Sequence, residues 1–181
     1  MPIFSRKYNI KINNTDNIIE RLSNIDSSFK CDKEHKSEIY FVDKSVDVSN
    51  IDKFSELNNY VLITNDNKIK QVILFIDNKK YITNLDDLVT TSQILFIFNY
   101  KILLSLSYDI YKFRVENIYF YIICLSNGKQ YLTFDECIID KEAIYIIDLL
   151  QYKFEILLDN NLYYDIIEEK FNDLKNKRGD I

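Results

Sequence analysis

Two glycines, Gly128 and Gly179, lie fifty-one residues apart in a chain of 181. That scarcity excludes the glycine-rich loops of P-loop and dinucleotide-binding proteins, which need several glycines close together to bring backbone amides onto phosphate. A single histidine, His35, sits in the polar stretch SNIDSSFKCDKEHKS (23–37), where no ordered partner for Ser-His-Asp or Cys-His chemistry is apparent. No HExxH and no paired CxxC occurs either. One proline (Pro2), one alanine (Ala143) and no tryptophan complete the deficits, while Ile, Asn, Lys, Asp and Tyr abound. The favoured residues have AT-rich codons and the scarce ones GC-rich codons. The skew therefore reflects an AT-rich genome, viral or bacterial, and carries no functional message.

Long apolar runs are missing as well. The most apolar stretch, IYFYIICL (118–125), is far short of the roughly 18 residues of a membrane helix. The opening MPIFSRKYNIKIN has neither an apolar core nor a small-residue cleavage site. Three cysteines, an odd and scattered set, do not form a disulfide framework. These features lead us to expect a soluble, cytoplasmic protein that is not secreted and has no membrane partner. With 28 acidic residues against 23 Lys and Arg, the charge weighs against a dedicated nucleic-acid binder.

What is present reads as β-structure. The segment Tyr8–Ile12 alternates apolar and polar residues, as a half-buried strand does. Thr15-Asp16-Asn17 then opens a short helix with Ile18, Ile19 and Leu22 on one face. Residues 23–37 carry no period and read as a mobile loop. From 38 to 159, strands are expected at 38–43, 45–49, 59–64, 68–76, 79–83, 93–98, 100–106, 110–115, 117–125, 129–133, 143–148 and 152–158. They are rich in Ile, Val, Tyr and Phe and separated by Asn and Asp turns. The C-terminal stretch NNLYYDIIEEKFNDLKNKRGDI is a helix by period, with Tyr163, Ile166, Ile167, Phe171 and Leu174 on one stripe and Gly179 as its stop. One domain over 1–181 follows.

A weak internal repeat accompanies these strands. VSNIDKFSELNNYVLI (48–63) aligns with ITNLDDLVTTSQILFI (82–97), and KKYITNLDDL (79–88) with KQYLTFDECI (129–138). Each copy ends a strand on a hydroxyl residue and places an acid three positions later: Ser49/Asp52, Thr83/Asp86 and Thr133/Glu136. That spacing is the helix capping box, in which hydroxyl and acid each satisfy an exposed amide of the first turn. The expected fold is α+β, predominantly antiparallel sheet built from ββ-turn-ββ units, with a short N-terminal helix and an amphipathic C-terminal one. The alternative is all-β: three four-stranded units resemble a β-trefoil, and NGKQYLT (127–133) resembles its hairpins.

Three constellations bear on chemistry. Cys31 and His35, with Cys124 and Cys137, would make a Cys₃His zinc set if 31–35 were helical; burial of Cys124 in its apolar run is the competing reading. Asp66, Asp77 and Lys79 flank the hydrophobic run KIKQVILFI in the order used by Mg²⁺-dependent nucleases, although Asp77-Asn78 also reads as a hairpin turn. Lys68, Lys70, Lys79 and Lys80, interleaved with Tyr81, would form a basic patch, or serve to keep a strand edge from aggregating. The first two would bring zinc or Mg²⁺ with them; the favoured reading expects no cofactor. By elimination, the sequence favours a non-catalytic protein-binding module: an inhibitor, an immunity-type protein or a viral host-interaction factor. The alternatives are an assembly protein that forms homo-oligomers and a Mg-dependent nuclease or phosphodiesterase.

Overall fold

The computed structural model describes residues 8–13, 17–25, 30–66, 69–77 and 79–179. Eight strands form one mostly antiparallel sheet: β1 (Asn9–Ile12), β2 (Lys30–Asp43), β3 (Asn59–Asp66), β4 (Lys70–Ile76), β5 (Lys79–Asn84), β6 (Tyr100–Val115), β7 (Ile118–Leu125) and β8 (Gln130–Thr133). Their order is β1-β8-β7-β6-β2-β3-β4-β5. Four α-helices accompany them: α1 (Ile18–Ile25), α2 (Leu88–Ile97), α3 (Asp140–Asp148) and α4 (Ile166–Gly179). The chain divides into two compact units. The first takes Met1–His35 and Tyr108–Asp165, the second Lys36–Ser107 and Ile166–Ile181. Each unit is thus made of two separate stretches, and both β2 and β6 have residues in each.

In the first unit the pleat decides which residues meet the helices. Directly opposed residues on neighbouring strands share a face. Ile10 pairs with Leu132, Leu132 with Ile122, and Phe113 with Phe120. This face packs against Ile18 and Leu22 of α1 and Ala143 and Ile146 of α3, with Leu150 and Phe154 just beyond, all buried. The Arg21 guanidinium donates to the Phe154 carbonyl at 2.5 Å, tying α1 to the segment after α3. The Tyr8 hydroxyl donates to Asp140 at 2.5 Å, tying α3 to the residue that leads into β1.

In the second unit Phe41, Val61, Ile63 and Val72 form a buried cluster beneath Leu88 and Leu95 of α2. The opposite face is aromatic. Tyr60 stacks on Phe75 at 4.4 Å, and Phe54 meets Tyr40, Tyr60 and Phe171 of α4 edge-on. Glu168 at the start of α4 accepts from the Phe54 amide at 2.9 and 3.1 Å, and Lys175 near its end donates to the Ile51 carbonyl at 2.7 Å. Only Ile166, Ile167 and Phe171 of the expected stripe are fully buried; Tyr163 precedes the helix and is exposed.

Several expectations are corrected here. Residues 30–37 belong to β2 and 23–25 to α1, so most of the segment read as a mobile loop is regular; residues 26–29, like the helix opening at Thr15 and Asp16, lie outside the described residues. Residues 88–97 are helical where a strand over 93–98 was expected, because the Asp87 carboxylate caps the Val89 and Thr90 amides. Residues 140–148 are helical because Ala143, Ile146 and Leu150 bury at helical spacing. β6 runs straight through the hairpin drawn near residue 107. With helices in two of the three supposed units, the β-trefoil alternative does not hold, and no threefold set of four-stranded units is found among the described residues.

Candidate functional site

The sequence-derived constellations separate in space. β4 is seven residues long, with Asp66 at one end and Asp77 and Lys79 at the other. At about 3.4 Å per residue that places them about 20 Å apart, too far to share a metal ion. Asp66 instead accepts from the Ile69 amide at 2.6 Å, and Asp77 turns the chain at φ 47°. The basic patch divides the same way: Lys70 lies at the first end, Lys79 and Lys80 at the second, and Lys68 outside the described residues. Lys80 lies over the Phe75 ring at 5.9 Å.

The zinc reading fails on secondary structure. Cys31 and His35 lie on a strand, where an i, i+4 pair is about 13 Å apart rather than one helical turn. His35 Nδ1 is 2.8 Å from Asp109, which also meets Lys33 at 2.9 Å. Burial pushes the Asp109 carboxyl up, but the bonds from Lys33 and His35 outweigh it and leave it below the usual carboxylate range. Among the described residues no group of three His, Cys, Asp or Glu is placed to hold a metal ion. Burial first, and the Asp109 charge second, push the Cys124 thiol up to about 11. Cys31 and Cys137 are exposed. At pH 8 a disulfide reagent is expected to titrate Cys137 fastest and Cys31 more slowly, since its own thiol is raised by partial burial and Asp32. Cys124 should follow only as the fold opens; three equally fast thiols would contradict the packing around β7.

The capping roles also move. Ser49 lies inside a one-turn helix whose cap is Asp47; its hydroxyl donates to that carboxylate at 2.6 Å. Asp52 is exposed beside Lys175 at 3.8 Å. Thr83 sits within β5, and the cap of α2 is Asp87, one residue past Asp86. Thr133 is fully buried in β8 and donates across to the Tyr8 carbonyl at 2.7 Å; Glu136 begins no helix. At α2 the acid at the helix start is Asp87 acting as the cap itself, not Asp86 three positions after a capping Thr83, and the shared spacing is not a repeated structural unit.

Two features stand out that the sequence reading did not single out. The first is in the second unit. β5 ends the strand order and all six of its residues are exposed. α2, which follows it, has no buried residue although six of its ten residues are apolar. Val89 is 65% exposed, Ile97 80% and Phe98 70%, with Tyr81 and Ile82 of β5 at 53% and 54%. The continuous apolar run ILFIF (94–98) was the available signal; it was assigned to a strand. The second feature is in the first unit, on the sheet face away from α1 and α3. Register places Asn9, Lys11, Lys112, Arg114, Tyr119, Tyr121, Tyr131 and Thr133 there together. Lys112 lies 4.4 Å over the Tyr119 ring and Lys11 5.5 Å from that of Tyr164. Asn9 is 7% exposed, and its side-chain oxygen has no hydrogen-bond partner among the described residues. The alternation Lys112, Arg114 and Tyr119, Tyr121 at two-residue spacing would have revealed this face.

No family model and no curated protein sequence matches the chain. Solved structures do. The PH1819 protein of Pyrococcus horikoshii superposes with a TM-score of 0.57 at 14% identity, covering 94% of this chain and 98% of that one. The PH1012 protein of the same organism gives 0.56 at 10% identity, with 91% and 99% covered. A candidate adenylate cyclase of Vibrio parahaemolyticus gives 0.54 at 12% identity, with 91% and 96% covered. At these identities the likeness establishes a shared fold and nothing finer.

Proposed function

We propose that this chain is an intracellular protein-binding module that works through the apolar surface of α2 and β5 in its second unit. One observation carries the reading: a ten-residue helix with six apolar residues, none of its ten residues buried, beside an exposed terminal strand. Scattered apolar side chains are ordinary on a protein surface, whereas a concentration of them marks an interaction site. Three free cysteines suit a reducing compartment. Among the described residues no helix is long and apolar enough to cross a membrane. A photo-crosslinking amino acid at position 97, in the cell the chain comes from, tests the reading. The expected result is a discrete covalent adduct with a protein, a second copy included, that disappears on Phe98→Asp. Adduct formation unchanged by Phe98→Asp, or none at all, overturns it.

A second reading is favoured by the other face. The name of the Vibrio neighbour points to ATP as that protein's substrate. Here Lys11, Lys112 and Arg114 share a face with tyrosine rings and the buried side-chain oxygen of Asn9. Ammonium and guanidinium groups suit phosphate, and rings suit a base. On this reading ATP raises the melting temperature of the wild-type chain and not that of Arg114→Ala. Identical melting with and without ATP removes it.

A further inference from the structure

We propose that the surface of β5 and α2 is completed by a second copy of this chain, through antiparallel pairing of β5 with its own symmetry mate. This rests on the protein-binding reading above and names the partner.

The argument begins with the edge. β5 pairs with β4 on one side, and among the described residues no strand pairs with its other side. Natural proteins blunt such edges with charge, proline or a bulge. β5 carries charge only in its first two residues, Lys79 and Lys80; Tyr81-Ile82-Thr83-Asn84 is uncharged and rich in strand-forming residues.

Register supplies the second step. A twofold axis perpendicular to the sheet keeps each residue on its own face, so opposed positions have residue numbers with an even sum. Centring on Ile82 sets Ile82 against Ile82 of the second copy, Tyr81 against Thr83 and Lys80 against Asn84. Centring on Tyr81 sets Lys80 against Ile82 and Lys79 against Thr83. Neither register opposes lysine to lysine, whereas centring on Lys80 or Lys79 does. The two lysines exclude axes at the start of the strand, and axes at Thr83 or Asn84 overlap fewer residues of β5, so Tyr81 and Ile82 remain as the axis.

α2 supplies the third step. Tyr81 opposes Leu74, which opposes Val61, and Thr83 opposes Val72; this is the face on which α2 packs. The same axis keeps both copies of α2 on one side of the continued sheet. A pair of six-residue strands alone falls short of the roughly 1,200 Å² of a stable interface. The exposed Val89, Ile97 and Phe98 of α2 supply the remaining apolar area.

Light scattering and sedimentation of the purified chain test this. The wild type is expected at twice the monomer mass at micromolar concentration. Ile82→Lys sets the introduced lysine against its own copy in one register and against Lys80 in the other. Such like-charge contacts weaken association by roughly 100-fold or more. Because Ile82 is exposed, the melting temperature of the dissociated variant should stay that of a folded chain. Independently, with Cys31 and Cys137 replaced by serine, Ile82→Cys or Tyr81→Cys should form a disulfide-linked dimer across the axis, whichever residue lies on it. If Ile82→Lys fails to fold, the cysteine pair decides. A monomeric wild type at 0.1 mM (roughly a hundredfold above a micromolar Kd) overturns the proposal, as does a dimer untouched by Ile82→Lys and uncrosslinked at both positions. A position-97 adduct with a different protein would then leave the protein-binding reading standing, and no adduct would remove both.

Discussion

Phe120→Ala is expected to lower the unfolding free energy by about 3–5 kcal/mol. Phe120 is fully buried in the first unit and stacks on Phe113 with ring centroids 5.3 Å apart. Ile10, Ile122 and Leu132 surround it on the same sheet face, and α1 and α3 close over them. A regular sheet beneath two helices has little freedom to collapse into the space a lost ring leaves, so the cavity cost adds to the lost transfer energy. Against a typical total of about 5–15 kcal/mol, that is a large share. Urea denaturation should show a lower midpoint at unchanged slope. Phe98→Ala is the contrasting variant: with its side chain 70% exposed, a change within about 0.5 kcal/mol is expected of the isolated chain. Equal losses at the two positions would mean that the burial described for one of them is wrong.

Glu38→Ala is expected to be the next most damaging change, at about 1–3 kcal/mol. Glu38 is 2% exposed on β2 and accepts from the Tyr40 hydroxyl at 2.6 Å, two residues along the same face. Removing the carboxylate takes away the bond that a fully buried hydroxyl donates. It also leaves a cavity among the rings of the second unit. A titration reports on it separately. Burial first, and the Glu38 charge second, push the Tyr60 hydroxyl up to about 12. The folded state therefore holds this proton more tightly than the unfolded chain, whose tyrosines ionise near 10. The stability contributed is complete below pH 10 and is lost as pH rises from about 10 to 12. In Glu38→Ala that window should narrow without closing, because burial is the larger cause. Ring signals of Tyr60 through an alkaline titration check the sign; a shift to higher pH in the variant would contradict the arrangement.

Much of the sheet was legible in the sequence because its signal is local. β1, β3, β4, β5, β7 and β8 lie within two residues of the expected strands, each bounded by a turn or a change of period. The turns were legible for the same reason: Asp77 and Asn99 take φ of 47° and 65°, and Gly128 takes 85°. Glu116 and Glu155, at 54° and 52°, were not foreseen, since glutamate has no particular ease in that region. What was lost lies where two periods fit one run. EAIYII alternates well enough for a strand, and only long-range burial of Ala143 and Ile146 makes it a helix. QILFIF, expected as a strand on a half-buried surface, is instead the largely exposed end of α2 and the residue that follows it. The candidate sites failed for a related reason. Asp66 and Asp77, or Cys31 and His35, are near in sequence, but an extended strand separates what a helix or turn would join. The Lys11, Lys112 and Arg114 face draws on β1 and β6, about 100 residues apart in the sequence, and no local window contains it.

The discontinuous make-up of the two units has a consequence for how the molecule is made. Ile10 pairs with Leu132, so β1, once it has left the ribosome, waits for about 120 further residues before its partner is synthesised. At roughly 5–20 residues per second that is on the order of 6 to 24 s. During that interval most of the second unit, from Lys36 to Ser107, emerges as one uninterrupted stretch, yet α4, which packs on Phe54, is translated only after the first unit's Asp165. Neither unit matches any contiguous fragment. A nascent chain stalled before Leu132 should therefore leave Tyr8, Ile10 and Ile12 accessible to protease, and a fragment library cut by sequence position will not yield either half as an independent protein.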